Sequence, residues 1–280
     1  SLPGKGGSGL RVGLKAPAYP RRLLLGEGGD PWQGAPQYLA YFSQAQGLLR
    51  PDVAVVEVGE LFDSWLLRHP EVLAEMGAKR RLSFPLRKLL EQDEPRRLLA
   101  EVVEAVIANL RGQTPLVLAM PSPKHWLYHA NLLAGRSDIE LDPDGIEDAA
   151  MYMADLLRSV SSSPVGGVLL EEHPDDAAMG ETELERYRPL INVAHHYRWS
   201  LALRPQGAAV AASPVLAEFD AVLSAAIAAP QPVSTGVDVS AALWSGSPLP
   251  ALSQAQFYFA EIPEAQRPEF VLESLARLRA

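Results

Sequence analysis

GVLLEEHPDD, residues 167–176, sets Val168, Leu169 and Leu170 directly against Glu171, Glu172 and His173. A short apolar run bounded by glycine and polar residues reads as a strand buried on both faces. Carboxylates and imidazoles are costly to bury unless they are paired, bound or at work. Where this strand ends therefore bears on both fold and function. In a barrel of parallel strands it would end at the face that carries active sites. In a solvated loop, Asp175 and Asp176 would instead cap the next helix.

Similar runs recur on either side. The first strand is residues 11–15 or, alternatively, 22–25. Others are 53–58, 115–120, 200–203 and 221–224, with two more inside 233–239 and 256–259. Helical patterns fall at 96–111, 145–158, 182–197 and, closing the chain, 269–279. Most of the runs are apolar on both faces, as parallel strands covered by helices require. Eight strand–helix steps in 280 residues predict a single-domain (β/α)8 barrel over residues 11–280. A doubly wound sheet is the alternative. Residues 1–10 read as a flexible Gly-rich tail, and their GKGGSG lacks the GxxxxGK[ST] spacing of a phosphate loop.

Composition narrows the function. A hydrophobic content of 48% is too high for disorder. No apolar stretch reaches the roughly 18 residues of a membrane span, and SLPGKGGSGL lacks the apolar segment of a signal peptide. The expectation is a cytoplasmic protein. With no cysteine, disulfides and thiolate chemistry are excluded, and a metal would need His, Asp or Glu. The formal net charge is 25 − 34 = −9, which disfavours nucleic acid and anionic membrane as partners. The expected partner is a small-molecule substrate, and homodimerisation is left open.

Candidate site residues follow from the strand ends. Glu57 and Glu60 close the second strand, and there a carboxylate serves as a base or as a helix cap. His125 and His129, four apart, share a helix face beside Lys124. They contact substrate or border the core, and without an HExxH pattern no tightly bound zinc is expected. Glu171, Glu172 and His173 end the fourth strand. Arg204 ends the fifth, placed to fork onto a substrate carboxylate or to pair with Glu171 or Glu172. Asp238 and Glu261 hold comparable positions later. Glu57, Glu172 and His173 are the candidate catalytic groups, and the others are candidate substrate contacts. His195 and His196 read as structural groups at a helix end.

Several segments resemble the uroporphyrinogen decarboxylase family, which shares a barrel superfamily with cobalamin-independent methionine synthase. They are GAKRRLSFPLRKL (77–89), PLVLAMPSPKHWLYHANLLAG (115–135), LLEEHPD (169–175) and IPEAQRPEFVLESLARL (262–278). The resemblance implies a barrel enzyme catalysing decarboxylation or methyl transfer. Its departures matter. The family's Arg-rich loop after the first strand has no counterpart in LKAPAYPRR or LLLGEGGDP. The catalytic Asp after the second strand is not matched in VVEVGELFD, and the late Gly-His pair falls near Ala260-Glu261. Uroporphyrinogen itself is therefore not the expected substrate. A catalytically inactive barrel used for ligand or protein binding is the second hypothesis.

Overall fold

The computed structural model describes residues 12–174, 181–205, 214–224, 233–253 and 255–279. The predicted tail, and the predicted caps Asp175 and Asp176, lie outside these residues. Eight strands alternate with helices. In chain order they are β1 (Val12–Lys15), α1 (Tyr19–Leu25), α2 (Ala35–Leu49), β2 (Ala54–Glu57), α3 (Val58–Leu67), α4 (Pro70–Met76), α5 (Phe84–Leu90), α6 (Asp93–Leu110), β3 (Leu116–Pro121), α7 (Pro123–Leu133), α8 (Pro143–Arg158), β4 (Gly167–Glu171), α9 (Glu181–Glu185), α10 (Arg188–Tyr197), β5 (Ser200–Arg204), β6 (Ala221–Ser224), β7 (Ser234–Asp238), α11 (Ser240–Ser245), β8 (Gln256–Glu261) and α12 (Pro268–Arg279).

All pairings are parallel, in the order β1-β8-β7-β6-β5-β4-β3-β2. The two end strands come round to each other, and Lys15 of β1 meets Glu57 of β2 at 3.3 Å. The sheet is thus a (β/α)8 barrel with one seam, between β1 and β2, where no ladder forms among the described residues. The doubly wound alternative is excluded.

The alternation of strand side chains sorts the residues. Val53, Val117, Ala119, Leu169, Ala221, Leu223, Phe257 and Phe259 form the apolar filling of the barrel. Their neighbours along the strands, such as Val56, Leu118, Leu170 and Leu203, face outward into the helical layer. The helices carry matching apolar stripes. In α8, the Asp142 carboxylate accepts the Gly145 amide proton at 2.6 Å, which fixes the start. Ile146, Ala149, Ala150, Met153, Ala154 and Leu157 then fall on one buried face.

Two expectations are corrected. Residues 22–25 belong to α1, because Pro20 starts a helix that buries Tyr19 and Pro20 rather than a strand. The helix expected over 182–197 is two helices, α9 and α10, the second beginning afresh at Arg188 with Pro189 in its first turn.

The bulky rings inside the barrel need small neighbours. A Cβ at Gly236 would lie 2.3 Å from Leu223 Cδ2 and 2.9 Å from the Phe257 ring. Gly236→Ala is predicted to lower stability by about 1–3 kcal/mol through overpacking. Urea denaturation measures it, and an unchanged midpoint would mean that Phe257 swings aside at no cost.

Candidate functional site

At the carboxyl ends of six strands, the inward position two residues beyond the barrel filling is polar. On β1, β2, β4, β5, β7 and β8 these positions are Lys15, Glu57, Glu171, Arg204, Asp238 and Glu261. They meet in one network across the mouth. Glu171 lies between the two cations: Lys15 Nζ donates to its Oε1 at 2.5 Å, and Arg204 Nη1 donates to its Oε2 at 2.9 Å. Arg204 also donates to Glu261 at 2.5 Å and to Asp238 at 3.2 Å, and its guanidinium lies over the Phe259 ring. Ser240 anchors the rim, its hydroxyl donating to Asp238 and accepting the Glu261 amide proton.

The electrostatics follow from this geometry. Burial works against the ammonium of Lys15, yet the pull of Glu57, Glu171 and Glu261 holds its pKa above the ordinary lysine value. Burial likewise opposes the Glu171 carboxylate, but Lys15 and Arg204 keep its pKa below the usual value. Glu57 differs. Burial pushes its pKa up to about 8, and Lys15 only partly offsets this because Glu171 and Glu60 add like charge. Glu57 is thus poised between acid and base near neutral pH, as general acid–base chemistry requires. With Glu57 protonated, Glu171, Asp238 and Glu261 still outnumber Lys15 and Arg204, three to two. The guanidinium pairs with carboxylates of the protein through Nη1 and Nη2, the internal pairing, while its buried Nε has no hydrogen-bond partner among the described residues.

Glu172 faces the opposite way. It is fully buried behind the barrel wall, accepting from Tyr187 Oη–H and from Ser122 Oγ–H, each at 2.6 Å. One step along a strand reverses the face, so Glu171 reaches the mouth and Glu172 joins β4 to the helical layer. His173 packs edge-on against His125, ring centroids 5.1 Å apart, and beside Tyr128. His125 Nδ1 lies 3.0 Å from the Glu171 carbonyl oxygen, and burial lowers its pKa despite that bond. The neutral ring with its proton on Nδ1 suits this contact. His129 turns toward α3, where its hydrogen bond to Asp63 at 3.2 Å raises its pKa. Lys124 pairs with Glu183 at 3.1 Å, and Glu60 with Arg21 at the same distance.

The structure therefore brings together Glu57, Glu171, Arg204, Asp238 and Glu261 from the sequence candidates. His125 and His173 stand beside Glu171 at the end of β4, while Glu172, His129, Lys124 and Glu60 make other contacts. Lys15 was missed. Its signal is the same as that of Arg204, a cation closing an apolar strand, but it was obscured while the first strand had two possible positions. Among the described residues, no group of three or more His, Asp or Glu side chains is placed to hold a metal ion, and no helix is long and apolar enough to cross a membrane.

No protein-family model and no curated protein matches this chain. Among solved structures, the crystal structure of a dihydrodipicolinate synthase from Bacillus clausii aligns over 96% of this chain and 73% of its own, at 12% identity and a TM-score of 0.41. That likeness is too loose to bear on activity, and the barrel rests on its own strand pairing.

Two predictions concern the carboxylates. Between about pH 4.5 and pH 8 the folded chain holds a proton on Glu57 that the unfolded chain has released. The stability due to neutral Glu57 is therefore full below pH 4.5 and is lost as pH rises toward 8. Glu57→Gln removes this dependence. Its stability relative to the parent should climb across that window by up to about 1.4 kcal/mol per pH unit and level off outside it, as read by denaturation at a series of pH values. Tyr187→Phe takes a buried donor from Glu172 and should cost about 1–3 kcal/mol. An unchanged denaturation midpoint would show that Glu172 is satisfied without it.

Proposed function

We propose that this protein is an enzyme that moves a proton on a small organic molecule held at the barrel mouth, with Glu57 as the acid–base group. The supporting observation is Glu57 itself: an inward carboxyl at the end of β2, beside Lys15 at 3.3 Å, with its pKa raised by burial to about 8. Active sites of barrels of this class lie at this face. An ion network serving only to close the rim would hold each carboxylate well below neutral, as Glu171 is held. Glu57 departs from that pattern, which favours a working group. Lys15 positions Glu57 and stabilises its charged form once the proton has gone.

Of the two reactions implied by the family resemblance, decarboxylation suits Glu57 better. When the bond to the carboxyl carbon breaks and CO2 leaves, the electron pair stays on the substrate carbon. Neutral Glu57 can deliver the proton that this carbon takes up, becoming a carboxylate beside Lys15. Methyl transfer has no comparable need for a proton on carbon.

The test is proton NMR in D2O with a panel of small organic acids and amines. The expected result is that at least one compound exchanges a carbon-bound proton or loses CO2, with the rate falling roughly 100-fold or more in Glu57→Gln. If the parent and Glu57→Gln act equally, Glu57 is not the acid–base group. A parent that turns over nothing, yet is stabilised against heat by a panel compound, would be the inactive binding barrel of the second hypothesis.

A further inference from the structure

Among the described residues no backbone ladder closes the β1–β2 seam, and α2 lies over it. Between them is a cavity of about 70 Å3, against the roughly 10–15 Å3 that one water needs. Its walls include the rings of Trp32, Tyr38, Tyr41 and Phe42, together with apolar residues of β1, β2 and α2. Trp32 stacks on Tyr38 with centroids 4.1 Å apart, and Tyr38 meets Tyr41 edge-on at 6.0 Å, so the rings brace one another. Among the described residues, the charged side chains lining the cavity are two carboxylates, Glu57 and Glu60. Their cationic partners, Lys15 at 3.3 Å and Arg21 at 3.1 Å, do not line it. A group entering the cavity therefore meets aromatic rings and carboxylates.

We infer that this cavity is a binding site for a small organic ammonium group, held by cation–π contact with its aromatic wall and by charge attraction to Glu57 and Glu60. An anion would be repelled. A hard metal ion needs several oxygen ligands, which aromatic walls do not supply. A neutral apolar group would add nothing to the pairing that Lys15 and Arg21 give the two part-buried carboxylates. An organic cation satisfies both kinds of wall at once. The inference deepens the proposed function by giving the substrate an ammonium group, anchored beside the acid–base residue, and to that extent rests on it.

The charges around Glu57 supply a signature. Lys15 on β1, Glu171 on β4, Glu60 on α3 and the hydroxyls of Tyr38 and Tyr41 on α2 are the titratable groups that act on it or feel it. Burial raises the pKa of both tyrosines, which stay neutral, and that of Glu60, which Arg21 partly offsets. Glu57, with its pKa pushed up to about 8, changes charge around neutrality. A permanently charged ligand prefers it ionised, so affinity must rise as pH approaches 8 from below.

The experiment is isothermal titration of the whole chain with choline and with 3,3-dimethylbutan-1-ol, which has the same shape without the charge. Choline should bind at least about tenfold more tightly than the neutral alcohol. Its affinity should rise by up to about tenfold per pH unit between pH 6.5 and 8, and then level off. Glu60→Gln should weaken it about tenfold and Tyr41→Leu about fivefold. Tyr41 is only partly buried, so its variant carries the test if Glu60→Gln does not fold. Equal binding of the two probes, no choline binding, a flat pH profile, or full affinity in the folded variants would each overturn the inference. Titration reads binding without turnover. It can therefore fail while Glu57-dependent exchange in D2O stands, and succeed where that exchange is absent.

Discussion

Glu171 joins opposite sides of the barrel. It accepts from Lys15 on β1 and from Arg204 on β5, and through these two cations it reaches Glu57, Asp238 and Glu261. Each charge alone would be costly to bury. Together they compensate one another in part, and removing one partner would leave the others less compensated still. The network ties together β1, β2, β4, β5, β7 and β8, including the two end strands that share no ladder. It holds the mouth in one arrangement and gives each titratable group a distinct environment.

The environments are unequal. Glu171 receives two cations and stays ionised, whereas Glu57 shares one cation with Glu171 and sits next to a seam without strand pairing. Burial dominates there, so the pKa of Glu57 rises toward neutrality. Glu57 also lines the aromatic cavity beneath α2. The β1–β2 edge, unpaired among the described residues, thus lies beside both Glu57 and the aromatic cavity.

Much of the fold was legible in the residues. The strands at 53–58, 115–120 and 200–203 match β2, β3 and β5 to within a residue or two at each end, because short runs apolar on both faces have few other places to go. The strand ends also pointed to Glu57, Glu171, Arg204, Asp238 and Glu261 as groups at a common face. Glu172 shows the limit. It stands beside Glu171 in chemistry and sequence, and only the pleat, once the strand is placed, sends one to the mouth and the other behind the wall. Lys15 shows another: its role depended on which of two runs formed β1, and the helix at Tyr19–Leu25 settled that.

Local patterning by itself determined the alternation of strands and helices, the barrel class and the polar character of the strand ends, since hydrophobic periodicity and burial cost are properties of short segments. Which polar ends meet, which cation each carboxylate shares, and where the barrel stays unzipped were decided only by the tertiary structure. Those depend on register and closure, which bring residues as far apart as Lys15 and Glu171 within 2.5 Å, and no local signal encodes a distance between strands so far apart in the chain.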